Sequence, residues 1–333
     1  MPAEQHDRFL IRGYRPGDEE AILDLFARSF HPPRSLEQWR WKFQENPWGR
    51  ERISLAFDEG RLVGHYAGYP VPFVLDGSPF EANHIGDTMT DPSVRHIGRG
   101  PTSILGRTAL HFYATFSEGR VAFNFGFNVG NIQRFSRRFL SLQFVEPVAY
   151  RARDLRQSPF RRLTRAERWA RGVRFELVRE TTAEWDTLFD RVARQHGFLV
   201  RRDARYVSWR YLQSPDPAYS VIAIRKWSAL AGWLVFRIRE DRFLLGDLLL
   251  DPRHAGVLEP ALRHLTHLFP VAAVETWCPP RPPWLDRLLT GLGLERRPEP
   301  QDLSLMCVPF GRGETVGEMR SRLYYTMGDS DLF

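Results

Sequence analysis

Residues 87–102, D-T-M-T-D-P-S-V-R-H-I-G-R-G-P-T, constrain the chain more than any other stretch. They read as the end of a strand, a tight glycine-containing turn, and the start of a helix predicted over about 101–112. Arg95, Gly98 and Gly100 stand in the spacing R-x-x-G-x-G. Glycine bends the backbone without steric cost and puts no side chain between its N–H groups and a ligand. The N-terminus of the following helix adds partial positive charge, and Arg95 and Arg99 add whole charges. A phosphate or pyrophosphate suits such a turn.

The flanking sequence predicts a mixed sheet covered by helices. Residues 9–14 form a strand-like run ended by Pro16-Gly17-Asp18. Asp18 can cap a helix with apolar positions Ile22, Leu25, Phe26 and Phe30. Ser35 with Gln38 three residues on is a capping-box pattern for a second helix, carrying Trp39, Trp41 and Phe43. Strands fit 53–57 and 62–73, joined at Asp58-Glu59-Gly60, and Asp76-Gly77 is a hairpin turn into the strand that ends at Asp87. Further on, strands fit 121–127 and 143–150. In the second half, strands fit 175–178, 219–224, 230–238, 243–250, 271–276 and 303–308. Helices fit 204–212, 258–268 and 284–289, and another begins at Thr181.

The two halves echo each other. Trp41-Lys42-Phe43 stands before Asn46-Pro47, and Trp209-Arg210-Tyr211 stands before Ser214-Pro215 at the same spacing. Leu62-Val63-Gly64 and Leu230-Ala231-Gly232 lie equally far beyond their tryptophans. Asp87-x-x-x-Asp91-Pro92 recurs as Asp247-x-x-x-Asp251-Pro252. Two copies of one fold are expected. After Asp251-Pro252 the R-x-x-G-x-G turn is missing, so the second copy is not expected to grip a phosphate in the same way.

With 333 residues and 43% hydrophobic composition, the chain can form two domains with real cores. The charge of +7 is spread along the chain, with no zinc knuckle or basic tail, so nucleic acid is not an expected partner. Cys278 and Cys307 lack metal-ligand spacing and fit a reducing compartment. No metal is expected. No run reaches the length of a membrane span and the first residues do not read as a signal peptide, so a cytoplasmic location without a membrane partner is expected. The expected boundaries are a domain over 1–150, an Arg-rich linker over 151–173, a degenerate second domain over 174–310, and a tail over 311–333.

The R-x-x-G-x-G turn in its strand–turn–helix setting, together with I-R-G-Y-R-P-G-D-E over 11–19, resembles the GNAT superfamily of acyl-CoA-dependent N-acyltransferases. The likeness covers about 9–150 well, and over 174–309 it rests on the repeat. A dinucleotide fingerprint needs G-x-G-x-x-G opening a βαβ unit. Here the first glycine is missing and antiparallel strands precede the turn, which favours acyl-CoA over NAD. The resemblance implies an α/β (α+β) fold of two GNAT-like domains, each a mixed, mostly antiparallel sheet covered by helices. It also implies an enzyme that moves an acetyl or other acyl group from acetyl-CoA or another acyl-CoA to a primary amine. Alternatives are an aminoacyl-tRNA-dependent FemAB-like transferase and a non-catalytic CoA- or ligand-binding module. The acceptor would be a small molecule or peptide, and association of identical chains is left open.

The resemblance assigns pyrophosphate contacts to Arg95, His96, Ile97, Gly98, Arg99, Gly100, Pro101 and Thr102. It places the N–H that polarises the acyl carbonyl near Met89 or Thr90, and the pantetheine arm in a splay between the strand ending near Asp91 and the strand at 121–127. Asn131 matches the family's Asn before its catalytic Tyr, but Phe135 and Phe139 stand where the Tyr is expected. Asp87, His84 and Glu81 are candidates for the base that a protonated amine needs. His65 is a similar residue, and the counterpart Asp247 also suggests a structural role for Asp87. The tail carries Tyr324 and Tyr325 and is expected either to pack on the first domain or to enter its site.

Overall fold

The alternating apolar runs and turn signals become regular elements in the computed structural model, which describes residues 8–30, 33–129, 138–215, 218–311 and 316–333. The chain begins with β1 (Phe9–Gly13), α1 (Glu19–Ser29) and α2 (Leu36–Phe43). The capping box forms: Ser35 Oγ accepts from the Gln38 N–H, and the Gln38 side chain accepts from the Ser35 N–H. Asp18 occupies the cap position of α1 but pairs with Arg12 (2.6 and 2.7 Å) instead of capping with its side chain. Next come β2 (Arg52–Asp58), β3 (Arg61–Leu75) and β4 (Ser78–Thr90), turning at the expected Asp-Glu-Gly and Asp-Gly sites. Then follow α3 (Ile104–Phe116), β5 (Phe123–Val129), β6 (Gln143–Pro147) and β7 (Tyr150–Asp154).

The second half holds α4 (Arg165–Ala170), β8 (Val173–Leu177), α5 (Ala183–His196), β9 (Phe198–Val200), and α6 (Ala204–Val207) running into a π-helical turn at Ser208–Leu212. It continues with β10 (Ser220–Lys226), β11 (Ala229–Arg239), β12 (Arg242–Leu250), α7 (Leu258–Leu268), β13 (Ala273–Trp277), α8 (Pro283–Gly291), β14 (Glu295–Arg296) and β15 (Leu303–Pro309). It closes with α9 (Val316–Arg322) and β16 (Leu323–Tyr324).

Two compact units result, and they do not follow the chain in simple order. Unit 1 takes the residues up to Pro72, Phe80–Glu146, and a return segment beginning at Leu303. Unit 2 takes Phe73–Pro79, Pro147–Asp302, and the residues from Glu318 onward. This corrects the boundaries expected at 150, 173 and 310. The stretch 151–173 is not a bare linker, because it holds most of β7 and all of α4. Residues 303–310 belong to the first unit, and the tail from 318 belongs to the second.

Strand order gives the physical reason. The unit 1 sheet runs β1-β2-β3-β4-β5-β15-β6, and the unit 2 sheet, read in the same sense, runs β8-β10-β11-β12-β13-β7-β14. The sixth place in each is filled by a strand from the other stretch of sequence. Pro147 lacks an N–H for the ladder and ends β6, and the chain re-enters a sheet at Tyr150 beside β13 (Trp277↔Tyr150 to Ala273↔Asp154). In return, β15 pairs antiparallel with β5 from Leu303↔Val129 to Pro309↔Phe123.

Each face of the unit 1 sheet carries a core. On one face Ile22, Leu25, Trp39 and Phe43 of the two N-terminal helices meet Ile53, Leu55, Leu62 and Met89. On the other, Ala109, Phe112 and Tyr113 of α3 meet Tyr66 and Val308. Val308 lies on β15, so the returning strand contributes to packing as well as pairing. In unit 2, Trp185 of α5 stacks on Trp233 of β11 at 5.7 Å. A fragment of residues 1–146 lacks β15 and leaves β5 with an unpaired inner edge. We expect calorimetry to show no cooperative melting for that fragment, and a cooperative transition once residues 303–317 are joined to it by a Gly/Ser linker. Cooperative melting of the short fragment would show that β15 is dispensable.

Candidate functional site

The turn after β4 is built by its glycines. Gly98 has φ +72° and Gly100 φ +57°, left-handed values that disfavour other residues. A Cβ at Gly98 would lie 2.4 Å from the Thr102 carbonyl oxygen, and one at Gly100 2.8 Å from the Phe139 ring. The helix begins later than the sequence pattern suggests. Gly100–Thr102 is a 3₁₀ turn, and α3 starts at Ile104 because Ser103 is its N-cap, accepting from the Gly106 N–H at 3.1 Å. Thr102 and Ser103 donate to the Arg99 and Gly100 carbonyls, and the Arg99 N–H donates to Thr102 Oγ1. Ile97 donates to the Val94 carbonyl. Among the described residues, the N–H groups of His96, Gly98 and Gly100 find no acceptor in the chain, and neither do those of Ile104 and Leu105 at the helix start. Arg95 folds back, its Nε donating to the Thr90 carbonyl at 2.8 Å, while Arg99 is exposed.

Asp91 anchors the entry to this turn. Its Oδ1 accepts from the Ser93 N–H and hydroxyl, and its Oδ2 meets Arg61 at 2.6 Å and Arg28 at 3.1 Å. Burial works to raise its pKa, but the Ser93 hydrogen bonds and Arg61 prevail and bring it to about 2.

Beside the turn, β4 and β5 part. They pair in parallel at Asn83↔Asn124 and His84↔Phe125, and no pairing of 85–90 with 126–129 follows among the described residues. On its other edge β4 stays with β3 to its end, where the Asp91 N–H donates to the Val63 carbonyl at 2.8 Å. The result is a wedge whose apex is His84 and whose β4 wall holds Met89 and Thr90. Met89 is buried in the core, and Thr90 is half-buried. Asn131 and Phe135 lie outside the described residues.

Asp87 sits on the β4 wall. Its carboxylate, only 7% exposed, is bound by Arg34 and by Lys42 Nζ at 3.2 Å. Its φ of +54° breaks the regular alternation of the strand. Such a backbone costs about 1–3 kcal/mol and persists only where surroundings impose it. Here they include His65, whose Nδ1–H donates to the Asp87 carbonyl at 2.6 Å. His65 is buried, and its Nε2 has no partner among the described residues. Burial, helped by the Arg34 and Lys42 charges, lowers its pKa to about 3 and keeps it neutral. The ring of His84 lies against Tyr69 and Phe125, each at 4.9 Å. Glu81 is at the far end of β4, paired with Arg52 at 2.6 Å. The three candidate bases therefore do not converge on one point.

Known proteins share both this turn's sequence setting and the fold around it. Residues 10–136 match the family model described as an acetyltransferase (GNAT) domain. Over those residues the chain is similar to a GNAT acetyltransferase domain. No curated protein matches the sequence. A protein of unknown function from Enterococcus faecalis V583, termed a probable N-acyltransferase, shares the fold at TM-score 0.64 and 13% identity, over 90% of this chain and 70% of that one. A GCN5-related N-acetyltransferase from Kribbella flavida does so at 0.64 and 12%, over 90% and 70%. Another from Anabaena variabilis ATCC 29413 does so at 0.63 and 15%, over 90% and 72%. The fold class is two GNAT-like domains, each a mostly antiparallel sheet with helices.

The second GNAT-like unit repeats the Asp87 centre in altered form. Arg202 stands seven residues before Trp209, as Arg34 stands seven before Trp41. Arg202 is fully buried and pairs with Asp247 at 3.0 Å and Asp329 at 2.5 Å. Tyr211 donates to Asp247 at 2.6 Å, and Thr326 does so at 2.9 Å. Arg210, the counterpart of Lys42, donates to the carbonyls of Gly328 and Ser330. The tail is thus tied into unit 2, contrary to the expectation that it packs on the first domain or enters its site. Tyr324 donates to the Leu248 carbonyl, and Tyr325 accepts from the Ala149 N–H.

Sequence reading found the turn and Asp87 but not the residues that hold Asp87. Lys42 lies within the repeated Trp41-Lys42-Phe43 motif, whereas Arg34 was detectable only by extending the repeat backward from Trp41 and Trp209. His65 in its neutral folded state predicts an acid sensitivity. Its folded pKa, about 3, lies below the usual value of about 6.5, so unfolding takes up a proton between these limits. Stability falls as pH drops below about 6.5, by up to about 1.4 kcal/mol per pH unit from this residue alone. Urea denaturation from pH 6.5 to 4.5 should show a slope about one proton smaller in His65→Gln than in the wild type. Equal slopes would show that His65 is not held neutral.

Proposed function

We propose that unit 1 binds an acyl-CoA and passes its acyl group to the primary amine of a small-molecule or peptide acceptor. One observation carries this reading. The N–H groups of His96 and Gly98 lack acceptors at an exposed turn beside a helix start, that of Gly100 lacks one at the buried inner side of the same turn, and the glycines there leave no room for a side chain. These groups, with those of Ile104 and Leu105 and the Arg99 guanidinium, would hold the pyrophosphate. The wedge between β4 and β5 would take the pantetheine arm, with the Met89 or Thr90 N–H near the acyl carbonyl. Bound acyl-CoA supplies an activated thioester carbon for attack by the amine.

The chain must then receive or release the proton of the incoming ammonium. Asp87 is engaged by Arg34 and Lys42, and a proton taken there would weaken both pairs. We assign it to holding the β4 wall rather than to accepting the proton. Glu81 stands four residues before the wedge opens, about 13 Å away along the strand, and it is paired with Arg52. His84 is enclosed by aromatic rings at the apex. Proton loss to water at the open end of the wedge fits this arrangement. The buried thiols of Cys278 and Cys307, both pushed up to about 12 by burial, are inert and suit a cytoplasmic setting.

Calorimetry with CoA and acetyl-CoA should show binding that Gly98→Glu or Gly100→Glu weakens by more than about tenfold, a loss of over 1.4 kcal/mol. Absence of binding to any acyl-CoA would remove the reading. If CoA binds, thiol release across a panel of amines separates an enzyme from a binding module. Asp87→Asn should lower the melting temperature and leave CoA affinity within about twofold. A large loss of turnover at unchanged melting temperature would instead make Asp87 the base.

A further inference from the structure

The Arg-rich stretch after β6 finds a use in unit 2. Arg153, Arg161 and Arg171 line a cavity of about 640 Å³ together with Arg263 of α7 and Arg287 of α8. Gly256 and Glu259 line it too. They lie in the segment after Asp251-Pro252, where unit 1 has its glycine turn after Asp91-Pro92. Both aspartates make the same start, accepting from the N–H two residues on at 3.0 Å (Ser93 and Arg253). The same place in the repeated fold thus carries a cleft in the copy that lost the glycines.

Four of the five guanidinium groups have partners that hold them in place. Arg263 is 4% exposed and donates to the Arg161 carbonyl at 2.7 Å and the Arg162 carbonyl at 3.0 Å. Arg153 donates to the carbonyls of Ser158 and Leu292 and lies 3.8 Å over the Phe160 ring. Arg171 meets Glu259 at 3.0 Å, and Arg161 pairs with Glu167. Arg287 finds no acceptor among the described residues. Five guanidinium groups thus face two carboxylates, leaving an excess of three positive charges around one concavity. Walls of one sign focus the field inside a cleft. Arginine forks match phosphate oxygens in pairs. Phe160, Leu288 and Leu292 add an apolar part to the lining, and the volume falls in the range of small-ligand pockets.

We propose that this cleft is a second anion site, which binds a small, multiply phosphorylated compound through arginine side chains where unit 1 offers backbone N–H groups. The proposal does not depend on the acyl-CoA reading of unit 1. Its concavity and apolar lining favour a small ligand over a nucleic-acid strand, which would track an open groove.

Tripolyphosphate is the probe, titrated calorimetrically into the full chain at low salt. Arg171→Glu/Arg287→Glu should weaken its binding by about tenfold or more. Arg15→Glu/Arg120→Glu, exposed residues of unit 1 with the same net charge change, should weaken it by no more than about threefold. Thermal melts identify any variant that fails to fold, and Arg171→Ala/Arg287→Ala replaces the reversal in that case. Gly98→Glu should retain the tripolyphosphate event that the pocket variant loses. Loss of all binding in Gly98→Glu overturns the proposal, as does equal weakening by the two double reversals. Binding of a single-stranded RNA that excess tripolyphosphate fails to displace also overturns it, in favour of a nucleic-acid surface.

Discussion

The pairing of β15 with β5 decides how this chain can be put together. Seven consecutive register pairs join residues 303–309 to 123–129, a sequence separation of well over a hundred residues. Until β15 arrives, unit 1 has an unfilled place between β5 and β6. Unit 2 fills its own corresponding place early, with β7, which follows β6 directly in the chain. Non-local pairing is entropically costly and is offset only when the intervening chain is already compact. β7 in turn finds its partner β13 only at Ala273–Trp277, and unit 2 also takes the residues from Glu318 onward, so both units are completed by distant segments of the chain.

That exchange was the part of the fold hardest to read in sequence. Local signals marked most elements: the Ser35–Gln38 capping box, the Asp-Gly hairpin turn, and the apolar period of 258–268 all form where their chemistry places them. Local signals carry no information about which sheet receives a strand. Residues 143–154 read as one strand and an Arg-rich linker, and Pro147 was the clue that the run is two strands in two sheets. β9, β14 and β16 are two or three residues long, too short for a period of two to show. The R-x-x-G-x-G turn was legible because close backbone approach admits only glycine at 98 and 100. The Arg34–Asp87–Lys42 centre was not, because charged residues far apart in sequence are ordinarily solvated surface.

The two copies also show how one frame tolerates different chemistry. Both carry Asp-Pro at the end of the fourth strand, with the aspartate accepting from the N–H two residues on and pairing with arginines. The segment beyond each Asp-Pro is free to diverge, because it lies past the pairing of that strand. In unit 1 two glycines shape the turn, and at Gly98 the backbone is open to solvent. In unit 2, two short 3₁₀ turns on either side of a non-helical His254 span Pro252–Val257 and lead into α7, with Gly256 as the one glycine of the segment. There, positive charge near the helix start comes from side chains of the chain's own Arg-rich stretch.

The recurrence of Asp87 as Asp247 argues about role. A carboxylate needed only for chemistry has no reason to stay, with its cations, in a copy whose turn has lost both glycines. Asp247 instead sits at zero exposure among Arg202, Tyr211 and Thr326, and through Arg202 it reaches Asp329 of the tail. Breaking one partner of such a buried pair typically costs about 3–5 kcal/mol, because the other charge is left uncompensated. In unit 1 the same carboxylate ties Arg34 before α2 and Lys42 within it to a strained point of β4. In both units, then, the aspartate fixes the fourth strand against the second helix at the point where that strand leaves its neighbour. In unit 1 the strand so fixed is the one that forms a wall of the wedge, which is a structural reason for the aspartate to be there.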